Sequence, residues 1–220
     1  MPATLRADSL AGRIRAEIVA GMHEPGGLLV ETRIAEERSA SRASVRDALQ
    51  RLARIGLIEH ASYQAARIIE GRDDDLVELL HVRSWIEPRL VGRFVERADA
   101  QQMNAFVAAQ RTVDDALEQG DPVAIDEASQ EFYRVLTSGA RSWVLAAAVE
   151  RETAQLRLVR AQLLGWTFEL DRLRGWTPSR RIIEPWMRRR DARAAYRICQ
   201  RDMVEDAART LRELRRRRAA

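Results

Sequence analysis

Residues 25–59 read PGGLLVETRIAEERSASRASVRDALQRLARIGLIE, and this stretch decides the fold. Pro25-Gly26-Gly27 forces a turn. Residues 32–39 follow as a short helix with Ile34 and Ala35 inward. Ser39-Ala40-Ser41 breaks it, and the pattern resumes as a helix over 42–54. There Val45, Ala48, Leu49 and Leu52 recur at i, i+3, i+4 and i+7, which is one buried face. Arg42, Arg46, Gln50 and Arg54 occupy a different, polar face. Gly56 stops the helix.

The flanks extend this unit. Upstream, Leu10, Ile14, Ile18 and Met22 make one apolar stripe over 9–22, with Ser9 as N-cap. Downstream, 57–60 and 66–70 read as two short strands joined by a tip over 61–65. Two strands after a helix-turn-helix make a wing. The geometry expected is a second helix whose exposed face enters a DNA major groove. Arginine, serine and glutamine can read base edges there. The plain alternative is an amphipathic surface helix with its arginines in water.

The ordered set Pro25, Gly26, Leu29, Ile34, Ala35, Glu36, Ser41, Arg42, Arg46, Asp47, Ala48, Leu49, Leu52, Gly56 and Leu57 resembles the GntR family of bacterial regulators. The resemblance implies that Arg42 and Arg46 contact DNA and that Ser41 and Ser44 touch phosphate. Arg33 lies beside a position that often holds arginine in the family and is Thr32 here. At the wing tip, Ala65 stands where the family has glycine, and Gln64 where it has a basic residue. The DNA-binding set implied is therefore Arg33, Ser41, Arg42, Ser44, Arg46, Gln50 and Gln64.

Gly71-Arg72-Asp73-Asp74-Asp75 is polar and places a domain boundary, giving a winged helix-turn-helix over 1–71 and an all-helical bundle over 72–220. The helical segments expected are 73–97, 99–119, 121–138, 143–165, 178–190 and 191–217. Asp121-Pro122 and Thr177-Pro178 are helix starts. Residues 165–175 read as an interrupted helix or loop carrying Trp166 and Phe168. HVRSWIEPRLVGRFVERAD, EFYRVL and RIIEPWMRRRDARAAYRICQRDM resemble the ligand-binding domain of the FadR subfamily, the FCD type. Many of its members hold a divalent metal with an aspartate and three histidines. Here Ser129 replaces the aspartate, Tyr133 the first histidine, Ser179 or Arg180 the second and Asp202 the last. His23, His60 and His81 lie elsewhere, so no metal or other cofactor is expected. The resemblance implies an effector pocket drawn from Arg83, Tyr133, Arg134, Arg180 and Asp202. A polar acid, an apolar acyl compound, or a pocket plugged by its own side chains all remain open.

Composition sets the outer limits. The chain has 220 residues, 46% hydrophobic and 32% charged, enough for a core. All 37 basic residues are arginine against 33 acids, so the net charge is only +4. No apolar run reaches about 18 residues, and Met1–Ser9 has no apolar leader, so a cytoplasmic location without membrane contact is expected. The lone Cys199 forms no internal disulfide. No phosphate loop, HExxH pair or GxSxG elbow points to an enzyme. Asp114-Asp115 and Glu205-Asp206 read as solvated helix faces. A pure interaction module would need the arginines of 42–54 to be incidental. The expected protein is a homodimeric repressor that reads a palindromic double-stranded operator and is released by a small-molecule effector.

Overall fold

A computed structural model describes residues 10–62 and 65–220, and the side chains of 60, 62 and 176–183 fall outside that description. Ser9 and Gln64 therefore lie outside the described residues. Three helices and a small sheet come first. Helix α1 spans Leu10–Val19 and buries Ala11, Ile14 and Ile18. It stops earlier than the apolar stripe suggested, before Gly21 turns the chain in the left-handed region at φ 74°. Helix α2 is Glu31–Glu37 and α3 is Arg42–Arg54. Gly56, at φ 71°, ends α3, and the Gly56 and Leu57 amides return to the Ala53 and Leu52 carbonyls.

The sheet has order β1-β3-β2. Strands β2 (Ile58–Ser62) and β3 (Ala65–Ile68) are the wing hairpin. Ala61 and Ala65, expected in its tip, belong to the strands. Strand β1 (Leu28–Val30) was not anticipated. It pairs antiparallel with β3, Leu28 opposite Arg67 and Val30 opposite Ala65. Three residues are too few for alternation to be read against a helical background.

Five helices follow: α4 Asp73–Arg97, α5 Ala100–Gln119, α6 Pro122–Ala140, α7 Trp143–Arg188 and α8 Ala192–Arg218. Asp99, Asp121, Ser142 and Asp191 cap the last four through their side chains. Of the two readings of 165–175, the interrupted helix is the one found. The chain is helical there and breaks only at Gly165 (φ 73°, ψ 160°). At that break it doubles back, because Arg157 Nε lies 4.0 Å from Glu169 Oε1, whereas a straight helix would separate those positions by about 18 Å. The helix likewise continues through Thr177-Pro178, which does not start a new one.

The larger core is built on Phe94, Phe106 and Phe132, with ring centroids 5.5 and 5.3 Å apart in sequence order. The core around α1 and α3 is completed by Ala154 and Leu158 of α7. Helix α7 thus serves both parts of the molecule. Gln155 Nε2 donates to the Gly56 carbonyl, while Gln162 donates to the Ile69 carbonyl and accepts from the Gly71 amide. Asp206 corrects the solvated-face reading. It is buried and ion-paired to Arg160 and Arg172.

Gly139 has no room for a side chain, since an added Cβ would stand 2.5 Å from two ring carbons of the fully buried Phe94. Gly139→Ala is expected to lower stability by about 2 kcal/mol. Denaturant unfolding would read this as a lower midpoint at unchanged slope.

Candidate DNA interface

The interface is built by burying one side of α3. Val45, Ala48, Leu49 and Leu52 are all at most 3% exposed, and the opposite stripe must then face solvent. Arg42, Arg46 and Gln50 are exposed on it. Successive members rise about 6 Å along the axis, a span that fits a major groove about 12 Å wide. Ser41 caps α3, its Oγ accepting from the Ser44 amide at 3.1 Å and lying 2.8 Å from Ser44 Oγ. Both hydroxyls are exposed beside the free amides of the first turn, where phosphate is favoured. No ion pair to Arg42 occurs among the described residues.

Arg46 is different. Its Nε and Nη2 donate to both oxygens of Glu31, at 3.2 and 3.0 Å. Glu31 opens α2 and is buried, so it fixes the direction of the guanidinium. Sequence reasoning missed Glu31, because nothing local links positions 15 apart. Arg33 is exposed on α2 and pairs with Glu37 at 2.7 Å. Gln64 lies outside the described residues. On the wing, Arg67 donates to the Gly26 carbonyl at 2.9 Å and so ties β3 to the turn before β1.

In the helical part, Arg83 and Tyr133 come together, and Asp202 pairs with Arg201, at 3.8 Å. Arg83 Nη2 donates to the Tyr133 hydroxyl at 3.0 Å, and that hydroxyl donates to Glu87 at 3.1 Å. Arg83 also pairs with Glu87 at 2.9 Å and meets the sulfur of Met203, the neighbour of Asp202. Arg134 lies apart on the surface, paired with Glu131 at 2.6 Å. The Arg180 side chain is outside the described residues. Ser129 turns its hydroxyl back to the Ile125 carbonyl. Of the positions expected from the resemblance to correspond to metal ligands, Ser129 and Tyr133 thus have their hydroxyls engaged within the protein. A guanidinium adjoins Tyr133, which is poor company for a cation. This donor set does not fit a divalent metal.

Five buried arginines, at 15, 83, 157, 160 and 172, face six of the seven buried acids among the described residues, those at 87, 126, 152, 169, 202 and 206, the seventh being Glu31 of α2. The surplus acid has consequences. Burial pushes Glu152 up to about 7, more than Arg83 at 3.8 Å offsets. Burial likewise pushes Asp202 up to about 6. Burial would also raise Asp206, but the Arg160 and Arg172 charges outweigh it and hold the carboxyl below its ordinary range.

Fold and exposed stripe together define a winged helix-turn-helix DNA-binding regulator with a helical partner domain. Residues 6–68 match the bacterial regulatory proteins of the gntR family, and 78–216 match the FCD domain. The chain belongs to the GntR family, in its FCD-containing branch. It is similar to the HTH-type transcriptional regulator Rv0494 of Mycobacterium tuberculosis, 32% identical over 63% of each chain. It also resembles the "Probable D-xylose utilization operon transcriptional repressor" of Paenarthrobacter nicotinovorans, 27% identical over 60% of this chain and 58% of that one. The match thus spans less than two thirds of either relative. Among solved structures, E. coli McbR/YncC shares the fold at a TM-score of 0.72 and 20% identity, over 94% of this chain and 95% of that one. No helix among the described residues is long and apolar enough to cross a membrane.

Arg42→Ala is expected to weaken DNA binding and to leave thermal stability unchanged. Arg46→Ala is expected to weaken DNA binding and also to lower stability, by about 1 kcal/mol, because Glu31 is left buried without its partner. Anisotropy titrations and thermal melts on both variants check the contrast. A second expectation concerns Glu152. Its acid binds protons more tightly folded than unfolded, so stability falls as pH rises from the ordinary 4.5 through about 7. Glu152→Gln should remove that loss, raising the melting midpoint at pH 8 relative to wild type by roughly 5 °C.

Proposed function

We propose that the protein is a homodimeric repressor that occupies a palindromic operator through the exposed stripe of α3, with Ser41, Arg42, Ser44, Arg46 and Gln50 as the contacting set. One observation carries this reading: Arg42, Arg46 and Gln50 are presented one turn apart on a helix whose other face is anchored in a core. Arg33 and Gln64 would add flanking contacts from α2 and the wing. The unit that binds DNA is taken as 1–71 and the unit that dimerises as 72–220. Two chains with twofold symmetry would place two α3 helices in successive major grooves. Repression follows from occupancy, in keeping with the name of the Paenarthrobacter relative. Such a regulator works in the cytoplasm and carries out no catalysis.

The helical domain has two readings. In one, a small organic acid or acyl compound binds there and releases the operator. Buried N–H groups on Arg157 and Arg160 that lack acceptors favour an anion. In the other, the domain is a dimerisation scaffold whose centre is filled by its own side chains. The closed set Arg83–Tyr133–Glu87 favours the scaffold, since a ligand at this place must break hydrogen bonds already satisfied. The scaffold is the reading that this geometry supports best.

The test begins with sedimentation velocity and with selection of bound duplexes from a random pool. A dimer that enriches an inverted repeat is the expected result, and a monomer or an unenriched pool contradicts the repressor. Melts against small carboxylic acids and acyl-CoAs then separate the two readings. No stabilisation supports the scaffold, while a stabilising compound that also releases DNA overturns it.

A further inference from the structure

The two parts of the molecule are joined by a buried ionic contact that the DNA-reading surface does not use. Arg15 of α1 reaches across to Asp126 of α6 through its Nη1. Arg15 is 4% exposed and Asp126 is 0% exposed. The other Asp126 oxygen accepts from Arg157 Nη1 of α7 at 2.8 Å, and Gln130 Nε2 donates to Oδ2 at 2.8 Å. Both oxygens of one carboxylate are thereby committed, one of them across the junction between the DNA-binding core and the helical bundle.

We propose that the Arg15–Asp126 pair locks the DNA-binding domain onto the helical domain and so sets the half-site spacing that the dimer accepts. The inference rests on the dimeric reading above. The surrounding contacts are of two kinds. Ala154 and Leu158 pack apolar surface, which is non-directional and tolerates sliding. Gln155 and Gln162 bond to backbone groups at Gly56, Ile69 and Gly71. The ion pair adds what these lack: a desolvated guanidinium that must stay on its carboxylate, because withdrawing it leaves Arg15 uncompensated in the interior while Asp126 keeps Arg157 and Gln130. Helix α1 packs on α3, so fixing Arg15 fixes the angle at which α3 leaves the bundle. Each added base pair moves the second half-site by about 3.4 Å and rotates it by roughly 34°. A locked junction cannot follow that rotation and a loosened one can. Arg15 and Asp126 are positioning residues in this account and touch no DNA.

The test uses the 220-residue wild-type chain, Arg15→Met and Arg157→Met, each selected in parallel on the same random duplex pool. Arg15→Met keeps the aliphatic bulk and leaves Asp126 its Arg157 partner. Arg157→Met perturbs the bundle but keeps the Arg15–Asp126 link. Wild type and Arg157→Met should return one half-site at one spacing. Arg15→Met should return the same half-site at several spacings, with affinity for the best site reduced about threefold to tenfold as preorganisation is lost. A single unchanged spacing with Arg15→Met overturns the lock. Unpaired half-sites from wild type overturn the dimer and the lock together, which separates the two failures. Should Arg15→Met not fold, the wild-type fold still decides. Spin labels at Arg33→Cys in each subunit, without DNA, should give a narrow distance distribution. A broad one overturns the proposal.

Discussion

A guanidinium taken out of water must find an opposite charge inside the protein, and this constraint organises the helical part of the molecule. Five arginines are buried there or at its edge. Each draws a carboxylate in with it, and the pairs run on from one another. Arg15 and Arg157 share Asp126, Arg157 approaches Glu169, Glu169 holds Arg172, and Arg172 shares Asp206 with Arg160. The doubling back of α7 at Gly165 is what brings Glu169 and Arg172 to the others. Such a network is weak evidence for high stability, because desolvation offsets much of the attraction. Its effect is on specificity of arrangement, since few packings satisfy this many charges at once.

Helix α7 connects this network to the DNA-binding part. Its Ala154 and Leu158 fill the core under α1 and α3, while Glu152, Arg157 and Arg160 turn into the ionic centre. The same helix therefore senses both interiors. The recognition stripe on α3 stays out of this bonding. Arg42 and Gln50 face solvent, and Glu31 reaches from a buried position to direct Arg46.

Most of the N-terminal fold is legible in the sequence because its signals are local. Helix α3 is read to its ends from the 3.6-residue period of Val45, Ala48, Leu49 and Leu52 and from Gly56. Helix α4 starts at the acidic run expected of an N-terminus. Strand β1 is not legible, being only three residues held by β3. The break in α7 at Gly165 is legible from the glycine that ends the segment expected over 143–165, but whether helix or loop follows is not, because tryptophan and phenylalanine beside glycine fit either. The charged centre escapes as well. An arginine at 160 or an aspartate at 206 looks the same in sequence whether it meets water or its partner 46 positions away. Arg134, by contrast, pairs with Glu131 one turn away, a local contact that keeps it on the surface.

The central claim is that α3 presents its arginines to the phosphates and bases of a duplex. The most direct measurement is the salt dependence of wild-type binding to a selected operator. Neutralising phosphates with arginine releases condensed counterions, so the logarithm of the association constant should fall linearly with the logarithm of salt concentration, with a slope on the order of −5 or steeper for a dimer. A slope near zero would mean that the arginines of α3 do not meet the backbone, and would contradict the account.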